Sequence, residues 1–386
     1  MQIVFDDRGL HKALAPITLT RPVAEIRVGI LTIRETWVKM LQPNFQNLTV
    51  GYITEDYLAK KFPIDYAAQD FLTINGSIKP SKEIAAAVGM LTQGQSLYVN
   101  GTFIAAHGKN SSNRIDLTVN ELVKIEKPWE IFQLNHLAIS IDFELLTAGK
   151  ISQPLSTTNQ VVNPSNVFLE AGAKVECAIL NASTGPIYIG KDAEIMEGSM
   201  VRGPFAMTEG AVVKMGAKIY GATTIGDHCK VGGEISNSLF QAYSNKGHDG
   251  FLGNSLVGEW CNFGADTNSS NLKNNYSPVK IYSYETNRLE QTNVQFCGVI
   301  MGDHSKTGIN TMLNTATVVG VHANIFGGGF PPKFIPSFSW GGFEDSDRFE
   351  LEKAYEVAEN MMSRRHLELS DFDKEIFTFL NDNLAQ

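Results

Sequence analysis

His248 is the residue whose type and setting most clearly suit chemistry in this 386-residue chain. It lies in Asn245-Lys246-Gly247-His248-Asp249-Gly250-Phe251-Leu252-Gly253, a polar stretch punctuated by glycine. An imidazole in such a loop can take the proton of an amine or hydroxyl as it attacks a thioester, which is general-base catalysis near neutral pH. The competing account is a surface histidine with no role, the commoner fate of a loop histidine taken alone. Near the N-terminus, Asp6 and Asp7 form a carboxylate pair that can hold Mg²⁺, the alternative being a solvated turn. Arg21, Arg27 and Arg34 can hold phosphates through bidentate guanidinium contacts. For Arg21 and Arg27 the alternative is structural pairing with Glu25 or helix ends.

What positions His248 is a period of six. Ile189, Ile195, Val201, Met207, Val213, Ile219, Ile225 and Val231 recur at that interval, with small residues such as Ala193, Ser199, Ala211 and Ala217 two places earlier. A helix repeats at 3.6 and a strand at 2, so a solenoid of short strands with one inward side chain per hexapeptide fits best. The phase starts weakly at Leu169 and Val175, breaks, and returns at Phe251, Val257 and Phe263, then at Met301, Leu313, Val319 and Ile325. Ser236–Gly250 and Thr267–Gln291 depart from it and are expected to be loops on the scaffold. A core this thin leaves little room inside, so ligands are expected in outer grooves between subunits.

The fold expected is therefore an α/β domain over residues 1–150, an all-β parallel β-helix over 151–335, and a helical extension over 336–386. In the first domain, Gln2–Phe5, Leu48–Ile53 and Ser96–Val99 read as strands, and Val28–Leu41, Glu83–Met90 and Trp129–Leu146 as helices. Residues 151–167 read as a polar linker. From about Asp345 the chain turns helical, with basic Arg364–His366 near the end of the stripe. A net charge of −9 gives no reason to expect nucleic acid or an anionic membrane as partner. Cys177, Cys229, Cys261 and Cys297 lie far apart, which argues against a zinc site or disulfide framework. The acidic N-terminus lacks a signal-peptide pattern and no apolar run approaches membrane-spanning length, so the chain is expected in the cytoplasm.

The stretch around His248 resembles the acetyltransferase half of the bifunctional N-acetylglucosamine-1-phosphate uridyltransferase/glucosamine-1-phosphate N-acetyltransferase family. Laid on that family's histidine motif without gaps, the glycines fall at Gly253, Gly258 and Gly264, and Asn262, Ala265, Thr267 and Asn271 also match. The resemblance implies a left-handed coil and a homotrimer. It implies acetyl-CoA as donor, an amino-sugar 1-phosphate as acceptor, His248 as general base, and Asn262 and Asn271 at the sugar and acetyl-CoA sites. A backbone N–H near Ala265 or on the following coil would serve the oxyanion. Ser236 stands where the family has a sugar-binding Lys, and Asn245 where it has another; Lys246, adjacent, is the substitute expected to bind substrate. Phe251 replaces a Tyr, and Lys273 and Lys280 are the nearby cations where an Asp-Gly is missing.

Leu14-Ala15-Pro16-Ile17-Thr18-Leu19-Thr20-Arg21-Pro22-Val23 resembles the second half of the sugar nucleotidyltransferase signature. That implies UTP and a sugar phosphate as substrates, with Mg²⁺ to offset phosphate charge. The glycine-rich half is reduced to Phe5-Asp6-Asp7-Arg8-Gly9-Leu10, Val23 replaces the signature Lys, and Asn100 replaces a metal-holding Asp. Lys127-Pro128-Trp129-Glu130 resembles the segment that leads such enzymes into their β-helix, with Trp129 a packing residue. Three readings stay open: a bifunctional enzyme of sugar-nucleotide metabolism, an acetyltransferase with a degenerate first domain, or a non-catalytic β-helix that binds sugar nucleotides.

Overall fold

Ile3, Val4 and Phe5 are all buried, so the first strand must be covered on both faces. In the computed structural model, which describes residues 1–45, 47–67, 70–109, 111–342 and 347–384, that strand is central. The strands of this region are β1 (Gln2–Asp6), β2 (Thr49–Ile53), β3 (Phe71–Asn75), β4 (Ile78–Lys79), β5 (Gln95–Val99), β6 (Thr102–His107), β7 (Asn113–Leu117) and β8 (Val123–Lys124). Six of them form a mixed sheet in the order β2-β1-β3-β6-β5-β7, with β1 parallel to both neighbours. Helices α1 (Ile33–Leu41), α2 (Lys82–Gly89), α3 (Pro128–Gln133) and α4 (Asn135–Thr147) accompany it.

Two helices differ from the sequence reading, each for a local reason. α1 begins at Ile33 rather than Val28 because Thr32 and Glu35 form a capping box. Before it, Gly29 has φ +85° and its amide donates to Asn135 Oδ1 at 2.8 Å. A Cβ there would lie 2.6 Å from Asp142 Oδ2 and 2.7 Å from the Ala138 backbone, so only glycine fits. The helix expected over Trp129–Leu146 is two helices, α3 and α4, meeting at Leu134. Asp142 of α4 pairs with Lys79 at 2.8 Å, both side chains wholly buried.

The solenoid has three sheets of short strands. Successive coils stack in parallel register, placing Ile189, Met207, Ile225, Phe240, Val257 and Met301 in one inward column. The stretch 151–167 is more than a linker, since Gln160–Val162 is the first strand of the third sheet. Its asparagines serve the stacking: Asn159 donates to the Val175 carbonyl at 2.7 Å and Asn163 to that of Ala182 at 3.1 Å. Ser236–Gly250 is not an ejected loop either. The coil is shortened, so that Thr224 pairs with Leu239, and Lys246 stands in register with Val231 in the inward column of the second sheet. Phe251 is turned outward, and Leu252 takes the inward place in register with Ile235. Thr267–Gln291 leaves the coil only in part: Asn268–Ser269 is still a strand of the third sheet, and the chain departs after it into a hairpin of Lys280–Ser283 and Arg288–Gln291.

The outward row of the first sheet is apolar too, and this is where the parts join. Leu239, Leu256, Ile300 and Val318 share one core with Ile3, Ile74 and Ile104 of the α/β sheet, together with Val279 and Ile281 of the hairpin region. Lower on the same face, Phe168, Tyr188 and Ala206 pack under Ile139 and Leu146 of α4. The C-terminal helices α5 (Leu351–Ser363) and α6 (Asp371–Leu384) pack where the first domain meets the solenoid. Ile376, Phe377 and Leu380 of α6 meet Leu19 and Leu58 of the first domain and Val321 and Phe338 of the solenoid. Asp345, where the sequence suggests a helix start, lies outside the described residues. The four cysteines are free thiols.

Candidate functional site

His248 sits on the corner between the strands Asn245–Lys246 and Phe251–Gly253, and is exposed beside exposed Asp249. The corner is held from inside. Lys246, buried, donates from Nζ to the carbonyl oxygens of His248 at 2.7 Å, Asp249 at 3.1 Å and Gly232 at 3.3 Å. An ammonium has three N–H bonds, so these acceptors use all of them and leave none for a substrate phosphate. Burial pushes this amine down to about 8, with Asp249 and Asp266 acting the other way. Lys246 is thus a strut under His248 rather than a group in the outer groove.

The next coil stacks its own corner against this one. A Cβ on Gly250 would lie 2.3 Å from the Thr267 carbonyl oxygen, which shows how closely the two corners meet. Ala265 lies on that second corner. Its carbonyl accepts from the Asn310 amide at 2.8 Å, while among the described residues its own amide has no acceptor. Asn262 is half-buried and pairs in register with Asn245. Asn271 is farther off, beyond the far end of the third-sheet strand, donating to Asn254 Oδ1 at 2.7 Å and lying over Gly253. The structure therefore gathers His248, Ala265 and Asn262 on adjacent coils, with Asn271 at the opposite corner. Lys273 is turned to the Pro278 carbonyl at 2.7 Å, and Lys280 is on the hairpin.

The first domain's candidates are engaged elsewhere. Arg21 is buried and pairs with Glu259 at 2.8 Å and with Asp303, which also accepts from Thr20 Oγ1 at 2.6 Å. Arg27 reaches Asp227 at 2.5 Å, the Gln241 carbonyl at 3.1 Å and the Ile30 carbonyl. Both guanidiniums are spent on the joint between domain and solenoid. Arg34 pairs with Glu25 at 2.6 Å. Asp6 is bridged by Arg8 at 2.6 Å. Asp7 accepts from the Val23 amide at 2.8 Å and Thr54 at 3.1 Å; burial raises its carboxyl to about 6. A hard dication wants several charged or carbonyl oxygens converging on one point. Asp6 neutralised by Arg8 and a buried Asp7 do not supply that as they stand, and the described residues contain no group of three His, Cys, Asp or Glu suited to a metal. Asn100 clips the chain instead, exchanging bonds with the Val119 carbonyl and amide.

Sequence reasoning did not find the partners of Arg21. Glu259 and Asp303 are coils away, and no local spacing links them to it. Together with Thr20, Lys61, Trp260 and Phe377 they line a cavity of about 340 Å³ where domain, solenoid and C-terminal helices meet. A ring stack along one corner, from His228 through Tyr243, Trp260, His304 and His322 to Phe338, was also missed. A signal existed: His304 and His322 are one coil apart; in the structure all six residues have positive φ.

A family model described as sugar nucleotidyl transferase matches residues 2–151. The bifunctional protein GlmU of Methanocaldococcus jannaschii is 37% identical over 87 residues, 22% of this chain and 21% of that protein. A bifunctional sugar-1-phosphate nucleotidylyltransferase/acetyltransferase of Sulfurisphaera tokodaii is 24% identical over 206 residues, 53% of this chain and 44% of that one. The matches thus span less than half of these relatives. An Arabidopsis UDP-N-acetylglucosamine acyltransferase structure aligns at 16% identity over 60% of this chain and 90% of its own, with a TM-score of 0.22, too low to argue from. Residues 2–151 thus match the sugar nucleotidyl transferase family model, and the chain with its hexapeptide solenoid is similar, at low identity, to bifunctional nucleotidyltransferase/acetyltransferase proteins.

Proposed function

We propose that this protein is an acetyltransferase of sugar-nucleotide metabolism, working at the corner that carries His248. The observation that carries the reading is that the corner bearing exposed His248 stacks on the next corner, where the Ala265 amide has no acceptor among the described residues and Asn262 lies on the adjoining strand. The amine of an amino-sugar 1-phosphate attacks the thioester carbonyl of acetyl-CoA, and His248 takes the amine proton as the C–N bond forms. The Ala265 amide faces the oxyanion. The C–S bond then breaks, and the CoA thiolate leaves with the proton returned by the imidazolium. The test is release of CoA thiol with glucosamine 1-phosphate as acceptor. Replacing His248 by Ala is expected to lower the rate by about 10²–10⁴-fold; a wild-type rate in that variant would remove His248 from the reaction.

A homotrimer belongs to this reading. The third sheet turns Ile179 and Met200 outward as neighbours and Met312 outward toward its other end, with Tyr220 near the first two, all exposed in the single chain; Lys218, Glu234 and Phe251 continue the column from Met200, and Asn268 stands beside Met312. Exposed apolar side chains toward both ends of one sheet, with charged and polar ones between them, are suited to cover by another copy. Light scattering that returned a stable monomer at micromolar concentration would contradict it. No helix among the described residues is long and apolar enough to cross a membrane.

For the first domain, one observation favours the reading without nucleotidyl transfer. Arg21 and Arg27, the cations offered for phosphates, are bonded into the solenoid, and Asp6 and Asp7 do not suit Mg²⁺. On this reading the domain is a docked unit that fixes the solenoid's first face. No step through UTP or Mg²⁺ is assigned to it.

A further inference from the structure

Four cations gather where the end of α5 meets the second sheet of the solenoid. Lys230 lies on the strand Lys230–Val231, and the Lys214 Cβ on the preceding coil lies against Gly232, two residues on. Arg365 arrives from α5, donating from Nη2 to the His228 carbonyl at 3.3 Å, and Arg364 caps the same helix. Among the described residues none of the four forms an ion pair, although the chain carries 41 acidic against 32 basic side chains. Partial burial lowers the Lys230 ammonium, and Arg365, Lys214 and Arg364 lower it further, so the charges act on one another. Like charges held together without a counter-charge are unfavourable unless an anion shares the place. The negative end of α5 accounts for Arg364 and Arg365, but not for two lysines on the solenoid.

A second feature extends this patch. Lys230 is in register with Asn245, and Asn245 with Asn262, so the cations open onto an amide ladder that climbs toward the His248 corner. Asn245 Oδ1 is buried with no hydrogen-bond partner among the described residues. We propose that Lys214, Lys230, Arg364 and Arg365 bind a phosphate-bearing small molecule, with Asn245 and Asn262 as the neutral extension of that site. The phosphates are either those of CoA, a source that rests on the acetyl-transfer reading, or those of a separate phosphorylated ligand. The site itself does not depend on that choice.

The test is calorimetric titration of the full chain with inorganic pyrophosphate, CoA, UDP and pantetheine. It compares the wild type with Lys230→Ala/Arg365→Ala and with Lys230→Arg. Wild type binds pyrophosphate; the double alanine variant weakens it by about tenfold or more, while Lys230→Arg keeps it, since either side chain supplies the charge. Neither replaced side chain holds the core, and an unchanged melting temperature verifies the fold. CoA weakened together with pyrophosphate, with pantetheine unaffected, assigns the phosphates to CoA. CoA unaffected while pyrophosphate and UDP weaken assigns a separate ligand. Both outcomes support the site. No wild-type binding of pyrophosphate, equal binding in the double variant, or binding of an RNA oligomer alone would overturn it. Loss of the acetyl-transfer reading with pyrophosphate still bound at the patch leaves the site standing.

Discussion

Lys246 Nζ lies 2.7 Å from the carbonyl oxygen of His248, donating to it from a place in the inward column where the previous coil has Val231. A buried ammonium in an aliphatic column is unfavourable unless all its N–H groups are satisfied, and here the corner carbonyls satisfy them. The corner in turn is shaped by that amine. Replacing Lys246 by Met, similar in length but with no donor, is expected to lower kcat for acetyl transfer by about tenfold or more through misplacement of His248. KM for both substrates should stay within about twofold, since the amine faces inward and does not touch them. In a His248→Ala background the same change is expected to cost almost nothing further. Equal losses in both backgrounds would make Lys246 independent of His248.

Arg21 and Asp303 make a buried pair at the joint of domain and solenoid. Arg21→Ala leaves Asp303 buried with only Thr20 and the Glu259 amide as donors. Removing one member of such a pair typically costs about 3–5 kcal/mol. Urea unfolding of Arg21→Ala should show a loss of that order, and Arg21→Met/Asp303→Asn should recover part of it. A loss below about 1 kcal/mol would mean the pair is screened like a surface contact.

His304 and His322 stack face to face, with Phe377 of α6 edge-on to both, and neither ring nitrogen of His322 has a hydrogen-bond partner among the described residues. Burial holds both imidazoles well below their usual range. The folded state therefore resists protons that the unfolded chain accepts below about pH 6.5. Their contribution is complete above that pH and is lost as pH falls, by about 1.4 kcal/mol per pH unit for each histidine. Buried His11, lowered to about 4, acts in the same direction; Asp7, raised to about 6, acts in the opposite one. His322→Phe keeps the stack and removes one titration, so its melting temperature should fall less than that of wild type between pH 7 and pH 5. An identical fall in both proteins would show that His322 does not contribute.

Pyrophosphate release from UTP and N-acetylglucosamine 1-phosphate with Mg²⁺ is expected to be absent, because the arginines and aspartates offered for it are otherwise engaged. Robust release would restore the bifunctional reading. Release abolished by Arg21→Ala in a still-folded protein would return Arg21 to a phosphate.

The period of six was legible because each inward side chain is chosen by the same constraint, and Val257, Phe263, Met301 and Leu313 fall where that phase puts them. It misled at Ser236–Gly250, where a polar residue in the inward column looks like the end of the pattern. Lys246 breaks the phase without breaking the coil. The docking of the first domain had a trace that periodicity alone does not reveal. Leu239-Phe240, Leu256-Val257, Ile300-Met301 and Val318-Val319 are adjacent apolar pairs, the mark of strands covered on both sides. What covers them could not be read, since Ile3 and Ile74 lie far away in sequence. The residues near His248 were found through glycine and asparagine spacing, whereas Arg21 looked like a phosphate ligand because its carboxylate partners are remote.

The shared core of Leu239, Leu256, Ile300 and Val318 with Ile3, Ile74 and Ile104 changes how the molecule comes apart. In a free-standing array of repeats, stability is a sum of units and nearest-neighbour contacts, and ends fray while the middle persists. Here the coil that carries His248 draws cohesion from the opposite end of the chain, so its opening must drag the α/β sheet with it. Heat is expected to melt solenoid and domain in one cooperative step, and hydrogen exchange in the coils from Leu239 to Val318 should track the exchange of β1.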